Sequence, residues 1–266
     1  MPIERLNGID LRWRLEGDGE HTAVLVNGLA DNLESWALQV PALLDAGFRV
    51  LRFDNRGIGR SSKPAGPYTT ALMAADAKAL VDHLGLSKVH MLGVSMGGMI
   101  AQEYALAYGG DLASLVLACT YAAPGPFCGR MFSLWADMAP VMGVAAVMRD
   151  VMLWAFTQAF FEAGGQPLAE VEQAMATLDQ PLEAYLGQLQ AIRDHDTTAR
   201  LGRLATPTLV LAGAEDLLIP VHLSRRLGEL IPNAAWATSP GGHAFLWEHA
   251  DAFNAAVLGH FATHSA

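Results

Sequence analysis

One serine of the sequence stands in a setting that suits nucleophilic chemistry. Ser95 lies within HMLGVSMGGMIAQ, residues 90–102, and has a glycine two positions away on each side. The residues before it are strand-like and those after it are helix-like, so Ser95 falls at the joint of two elements. A sharp strand-to-helix turn exposes the side chain at its joint, and glycines at 93 and 97 remove side chains that would collide there. The context favours a catalytic serine over an ordinary serine in a glycine-rich turn.

Two backbone N–H groups near Ser95 are expected to hold a developing negative charge. The first N–H groups of a helix lack intrahelical partners, and the N–H of Met96 would be one of them. We expect the second donor in the loop NGLADNLESW, which follows the strand-like run TAVLVNG, and assign it to the N–H of Leu29. Two such groups that converge on one oxygen form an oxyanion hole, which stabilises the transition state of acyl transfer.

A serine hydroxyl needs a base to take its proton, and the base is usually a histidine. Among the nine histidines, His243 follows a short strand-like segment and a Pro-Gly-Gly loop, just before the last helical stretch. A loop at the carboxyl end of a strand can carry a side chain over Ser95. His90 lies in the strand before Ser95 and is expected to pack away from it, and His195 near the end of a helical region is more ambiguous. His243 is therefore the predicted base.

The acid that orients the base is expected to follow a buried strand. Asp216 follows the apolar run TPTLVLAG in the pattern Gly-x-x-Asp-x-x-x-Pro, and Asp196 is a weaker rival. The end of the earlier run LASLVLACT is a second place for an acid, but Thr120 and Tyr121 stand there. The order serine, aspartate, histidine along the chain is the order that open-sheet hydrolases use.

The remaining pattern predicts the elements that would position these residues. Short Val/Leu runs that end in Gly or Asp are typical of strands buried on both faces of a parallel sheet. They alternate with helical stretches at 35–46, 69–84 and 96–108, and a last helix is expected at 250–261. The alternation predicts an open, mostly parallel α/β sheet flanked by helices. A strand in which apolar and polar residues alternate, GIDLRWRLEG, is predicted before these runs.

The alternation of strand-like and helix-like stretches stops between about residues 123 and 203, where the sequence pattern is helical throughout. A segment of about 80 residues is too long for a loop, so we expect a helical cap over residues 123–203. The core domain would then comprise residues 1–122 and 204–266. The cap is rich in methionine and aromatic residues, which either form its own core or line an apolar pocket. The candidate pocket residues are Trp135, Met131, Phe132 and Trp154.

Composition limits the classes of function. The chain has 266 residues, 52% of them hydrophobic, and a formal net charge of -10 without a basic run. A nucleic-acid partner is therefore not expected. We find no signal peptide and no apolar run of the roughly 20 residues that span a bilayer, and we expect a soluble, cytoplasmic protein.

Cys119 and Cys128 are expected to be free thiols. No residue spacing suggests a metal or another cofactor, and a homo-oligomer is possible.

These motifs together resemble the α/β-hydrolase superfamily. The resemblance extends over nearly the whole chain, and within the superfamily the sequence is most similar to the branch of 3-oxoadipate enol-lactonases and carboxylesterases. It implies a serine hydrolase with a Ser95, Asp216 and His243 triad under a helical cap. Many relatives carry His-Gly where this chain has Asn27-Gly28. The motifs, in chain order, are VNGLADNLESW, FDNRGIGRSS, GVSMGGMIAQ, GAEDLLIP and GGHAF.

Three functions are compatible with this sequence. The first is hydrolysis of a carboxylic ester or lactone through an acyl-enzyme. The others are a small-molecule receptor that keeps the triad with slow turnover, and a cofactor-free perhydrolase or C–C hydrolase. A lactonase for a dicarboxylic acid needs a cation for the free carboxylate, for which Arg130, Arg149 and Arg193 are available. The apolar cap favours a small to medium, uncharged and fairly apolar ester or lactone.

Overall fold

The computed structural model describes residues 2–265 and has one eight-stranded sheet. The strands are β1 (Ile3–Leu6), β2 (Ile9–Glu16), β3 (Thr22–Val26), β4 (Arg49–Phe53), β5 (Val89–Val94), β6 (Leu112–Ala118), β7 (Thr208–Gly213) and β8 (Ala235–Ser239). Their order is β1-β2-β4-β3-β5-β6-β7-β8. The two pairs that include β2 are antiparallel, and all other neighbours are parallel. The predicted mostly parallel α/β architecture is confirmed.

Helices cover both faces of the sheet, and each face has its own apolar core. The helices are α1 (Gln39–Asp45), α2 (Thr70–His83), α3 (Met96–Tyr108), α4 (Pro126–Met142), α5 (Val144–Ala155), α6 (Gln158–Ala163), α7 (Gly165–Ala176), α8 (Leu182–Arg193), α9 (Val221–Leu230), α10 (Phe245–Glu248) and α11 (Ala250–Thr263). Short 3-10 turns occur at Leu33–Trp36, Gly109–Asp111 and Leu201–Arg203. Among residues 2–265, no helix is long and apolar enough to cross a bilayer.

The central strands form where the sequence has uninterrupted apolar runs. Every residue of β3, β5 and β7 is buried, because helices pack on both sides of the strands in the middle of the sheet. The simple alternation expected in β2 fails at Arg12, which is buried although its type favours solvent. Its guanidinium lies 3.3 Å from Asp54 and 2.7 Å from Glu34, so two ion pairs offset the cost of burial.

Two elements near the start differ from the prediction. The sequence does not predict strand β1, because two of its four residues, Glu4 and Arg5, are charged, as suits a strand at the edge of the sheet. The helix expected over 35–46 is divided into the turn at Leu33–Trp36 and α1. Pro41 explains the division, since proline fits the first turn of a helix but not its interior. Helix α1 begins at Gln39, which leaves Pro41 within its first turn.

The loop after β4, which lies within FDNRGIGRSS, is held by charged side chains. The Asp54 carboxylate accepts the backbone N–H groups of Leu33 and Arg60, each at 2.8 Å. Arg56 donates from Nε and Nη2 to the two oxygens of Asp76 on α2, at 2.5 and 2.6 Å. These contacts fix the loop that lies beside the 27–32 segment.

Helices α4–α8 fill the interval between β6 and β7, where the sequence predicts the cap. The segment is joined to the rest of the chain by buried polar contacts as well as by apolar packing. Gln188 on α8 donates from Nε2 to the backbone oxygen of Arg56 at 2.8 Å, and Thr197 donates to Gln102 on α3 at 2.7 Å. The exact division into a core at 1–122 and 204–266 and a cap at 123–203 stays a prediction.

Candidate active site

Ser95 occupies the predicted joint, directly between β5 and α3. Its backbone has φ 56° and ψ −119°, a conformation that non-glycine residues rarely adopt. Hydrogen bonds hold this strained backbone in place: the Ser95 N–H donates to Ala118 O at 2.9 Å, and Thr120 Oγ1 donates to Ser95 O at 2.9 Å. Residues held in strained conformations cluster at functional sites, and here the strain exposes the side chain at the carboxyl edge of the sheet.

The glycines around Ser95 are required by close backbone approach. A Cβ on Gly93 would overlap the backbone carbonyl of Gly97, and a Cβ on Gly97 would overlap the carbonyl oxygen of Val26 on β3. A Cβ on Gly98 would lie 2.7 Å from Thr120 Cγ2, after β6. Gly93 thus permits the sharp turn itself, whereas Gly97 and Gly98 let α3 lie against the neighbouring strands.

Gly97→Ala is expected to destabilise the protein by about 3 kcal/mol or more, because the new methyl group meets a backbone carbonyl that cannot rotate away. Urea denaturation followed by circular dichroism measures this loss. Gly259→Ala on α11 is the matched control, since nothing lies within 4 Å of its new Cβ. That change should stabilise the helix by about 0.5–1 kcal/mol. A Gly97→Ala protein as stable as the wild type would contradict the packing described above.

His243 and Asp216 meet as the motif spacing predicts. His243 Nδ1 lies 2.9 Å from Asp216 Oδ2, and both side chains are nearly buried. The other carboxylate oxygen, Oδ1, accepts the backbone N–H of Ile219 at 2.8 Å. Asp216 is thus held by the turn that follows it. A proton held on Nδ1 by this contact leaves Nε2 of the imidazole as the acceptor.

The loop that carries His243 is fixed on both sides. A Cβ on Gly213, at the end of β7, would overlap the carbonyl of Gly242, so the loops after β7 and β8 lie in direct contact. Glu248 accepts the N–H of Gly242 through Oε2 at 2.6 Å and the N–H of Thr157 through Oε1 at 2.7 Å. One carboxylate therefore ties the histidine loop to the helical segment. No sequence motif around Glu248 indicates this role.

The two predicted oxyanion donors lie beside Ser95. Leu29 and Ser95 line the same cavity. A Cβ on the neighbouring Gly28 would lie 3.5 Å from Ser95 Cβ, which shows how close the loop comes to the nucleophile. Within residues 2–265, the N–H groups of Leu29 and Met96 donate to no other protein group. Both remain available for a ligand oxygen, and their role as an oxyanion hole stays a prediction.

The loop at 27–32 is supported by its own Asn27 and by side chains from the 3-10 turn at Leu33–Trp36 and from α8. Asn27 donates to Asn32 O at 2.7 Å and accepts from Trp36 Nε1 at 3.0 Å. Ala30, with φ 60°, donates its N–H to Gln188 Oε1 on α8 at 3.1 Å. The asparagine thus closes the loop without a histidine. The contribution of Gln188 comes from 158 residues away along the chain, so no local pattern could have indicated it.

The rival residues lie elsewhere. His90 is fully buried on β5, where Nδ1 contacts Ser114 Oγ at 2.8 Å and burial lowers its pKa to about 4. His195 lies in a buried polar cluster, 3.0 Å from Thr70 Oγ1, and burial likewise lowers its pKa to about 4. Asp196 is exposed and accepts the N–H of Thr198. None of the three lines the cavity that contains Ser95.

A cavity of about 370 Å³ lies over Ser95 and His243. Its wall is mostly apolar and is shared between the sheet loops and the helical segment. Of the four predicted pocket residues, Phe132 and Trp135 line it. Met131 and Trp154 do not: Trp154 instead donates to Asp150 and packs against Phe127. The wall instead includes further apolar residues: Leu29, Met99, Met148, Val151, Met152, Phe156, Phe160, Val171, Met175, Leu218, Leu246 and Trp247.

Asp31 also lines the cavity and was not predicted. Burial raises its pKa from the ordinary 3.8 to about 6, and the hydrogen bond from Ser35 and the positive charge of His243 offset only part of this effect. Ser35 Oγ donates to Asp31 Oδ1 at 3.3 Å, a weak contact. A carboxylate in this environment destabilises the folded chain whenever it is ionised.

Asp31→Asn is expected to raise the free energy of unfolding at pH 8 by about 1–3 kcal/mol. The raised pKa means that the folded state holds the proton more tightly than the unfolded state. The penalty from Asp31 is therefore absent below about pH 4, grows as the pH rises to about 6, and is complete above that. Urea denaturation at pH 4 and pH 8 measures the difference. An equal effect of the substitution at both pH values would contradict the assignment.

The described residues, 2–265, contain no group of three His, Cys, Asp or Glu side chains arranged to hold a metal ion.

Residues 24–250 match the sequence family described as the alpha/beta hydrolase fold. This chain belongs to the α/β-hydrolase family. A similar family member is the putative carbamate hydrolase RutD of Caulobacter sp. strain K31, which is 34% identical over 240 residues, or 89% of each chain.

Solved α/β-hydrolase structures superpose closely on this chain. The enol-lactonase from Burkholderia xenovorans LB400 has a TM-score of 0.91 and 30% identity, and the alignment covers 98% of this chain and 100% of that one. A thermophilic esterase from Thermogutta terrifontis has a TM-score of 0.87 and 27% identity, over 97% and 95% of the two chains. These likenesses confirm the resemblance stated from the motifs and identify the chain as a hydrolase.

Proposed function

We propose that this hydrolase cleaves a carboxylic ester or lactone of small to medium size through an acyl-enzyme on Ser95. The observation that carries the proposal is the arrangement of three groups. Ser95 and His243 line one apolar cavity, and His243 Nδ1 lies 2.9 Å from Asp216 Oδ2. This is the relation of base to orienting acid that activates a serine.

The proposed reaction proceeds in two halves. Ser95 Oγ attacks the carbonyl carbon while His243 Nε2 takes its proton, and the N–H groups of Leu29 and Met96 hold the oxyanion. His243 then gives the proton to the leaving alcohol, and the acyl group stays on Ser95. A water molecule, deprotonated by His243, releases the acid. Asp216 holds the imidazole in the required tautomer and stabilises its cation.

The cavity wall supports a mostly apolar acyl group. Large apolar side chains such as Phe132, Trp135 and Phe156 line it, and a volume of about 370 Å³ suits a small to medium ligand. The names of the enol-lactonase and esterase neighbours agree with this bond type. A carbamate is the second candidate, favoured by the name of the RutD relative, and its carbonyl would be attacked in the same way.

A turnover assay tests the proposal. The protein is given a large excess of p-nitrophenyl butyrate, then a panel of esters, lactones and one carbamate with graded acyl size. We expect continuous release over many turnovers and, among these uncharged substrates, the best rates for apolar esters or lactones. Release of one equivalent followed by a stop would instead favour a receptor with slow turnover. Peracid formation from an acid and hydrogen peroxide would favour the perhydrolase.

A further inference from the structure

The charged side chains on the cavity wall, apart from His243, are all acidic. They are Asp31, Glu34 and Glu170, and no lysine or arginine of the described chain is among the lining residues. The arginines that the sequence offers as partners for a substrate carboxylate are thus all outside the cavity wall. Arg130, for example, is exposed and donates to the backbone of its own helix. Apart from His243, no cationic side chain of the described residues lines the cavity to pair with an anionic substrate.

The three carboxylates differ in their partners. Glu34 is paired with Arg12 at 2.7 Å and with Arg52 at 3.5 Å, so its charge is largely compensated. Glu170 is exposed on α7, where water screens it. Asp31 has the weak hydrogen bond from Ser35 and a longer-range interaction with His243, but, in the part of the chain that the structure describes, no ion pair.

Asp31 also lies close to the reacting group. A Cβ built on Gly28 would lie 3.3 Å from Asp31 Oδ2 and 3.5 Å from Ser95 Cβ, so the two side chains flank the same small space. A substrate acylating Ser95 therefore passes within a few ångströms of this carboxylate. In an apolar cavity, a charge at that distance acts strongly on a charge of the substrate.

We propose that Asp31 determines substrate specificity: its carboxylate selects esters or lactones that carry a positively charged group near the scissile carbonyl and rejects those that carry a carboxylate there. The inference rests on the proposed function, because it concerns the substrate of the same site. The cationic group supplies the ion pair that Asp31 lacks in the free protein. A carboxylate in the same place would meet uncompensated like charge.

Three methyl esters of nearly equal shape test this selection. Methyl 4-(trimethylammonio)butanoate is cationic, methyl 5,5-dimethylhexanoate is its neutral carbon analogue, and monomethyl glutarate is anionic. The charges of all three are constant near neutral pH. The value of kcat/KM for each is measured by titration of the released acid at pH 7.5, with the wild-type protein and with Asp31→Asn.

We expect the wild type to prefer the cationic ester over the anionic one. In Asp31→Asn, kcat/KM should fall about tenfold or more for the cationic ester and rise about tenfold or more for the anionic ester, with the neutral ester within about threefold. Asp31→Glu keeps the charge and should keep the wild-type order. The matched control is Asp82→Asn, which removes an exposed carboxylate from α2 and should leave all three values unchanged.

The inference is overturned if Asp31→Asn changes the three values by one common factor, or if the wild type prefers the anionic ester. This failure is distinct from failure of the proposed function. Activity that survives in Ser95→Ala would contradict the serine mechanism itself, whereas activity that needs Ser95 but ignores the charge of the ester would contradict only the role of Asp31.

Discussion

Ser95→Ala is expected to lower kcat for p-nitrophenyl butyrate by about 10⁶-fold, the loss seen when a triad serine hydrolase loses its nucleophile. Without Oγ no acyl-enzyme can form, and the remaining groups provide only binding and oxyanion stabilisation. The fold should persist, because the strained backbone at position 95 is held by hydrogen bonds to Ala118 and from Thr120 that do not use the serine side chain.

Two measurements make this result specific. The thermal midpoint of Ser95→Ala should match the wild type to within a few degrees, which excludes unfolding as the cause of the loss. Ser133→Ala on α4 is the matched control, since this serine bonds to the backbone of its own helix and does not line the cavity. Its kcat should be unchanged. A Ser95→Ala protein with more than about one hundredth of the wild-type kcat would rule out Ser95 as the nucleophile.

Asp216→Asn is expected to lower kcat by about 10⁴-fold, with a small change in KM. An amide nitrogen opposite His243 Nδ1 would favour the tautomer with the proton on Nε2, which cannot accept the proton of Ser95. The carboxylate charge that stabilises the imidazolium would also be lost. Substrate binding would change little, because Asp216 is not on the cavity wall.

Asp196→Asn is the matched control for this substitution. Asp196 is the other acid that the sequence offers, but it is exposed and bonds to the N–H of Thr198. Its replacement should leave kcat unchanged. If both aspartate variants kept the wild-type kcat, the acid of the site would have been misassigned.

The elements around the candidate site could be predicted closely because their signals are local. The glycine spacing predicts the turn at Ser95, and helix α3 has the expected bounds, Met96–Tyr108. The apolar run TPTLVLAG predicts that β7 finishes at Gly213, and thus which edge of the sheet carries the polar group that follows it. The same reasoning singled out His243 and Asp216, whose side chains the structure places in contact.

The sequence did not indicate two kinds of residue: those whose contacts lie far away along the chain, and those whose location differs from what their residue type favours. Gln188 supports the loop of Leu29 from a distant helix, and Asp31 is a carboxylate in an apolar wall. Of the four candidate pocket residues, only Phe132 and Trp135 lie on the cavity wall, for a related reason. Composition indicates that the helical segment is rich in aromatic residues, but helix orientation decides that Trp135 lines the cavity and Trp154 packs against Phe127.

Labelling with a fluorophosphonate, followed by intact-mass measurement and peptide mapping, tests the central claim most directly. The reagent forms a stable adduct with a serine only when a neighbouring base activates the hydroxyl. We predict one adduct per chain on Ser95, no adduct in Ser95→Ala, and much slower labelling in His243→Ala. A wild-type chain that stays unlabelled, or that carries the adduct on another residue, would contradict the account.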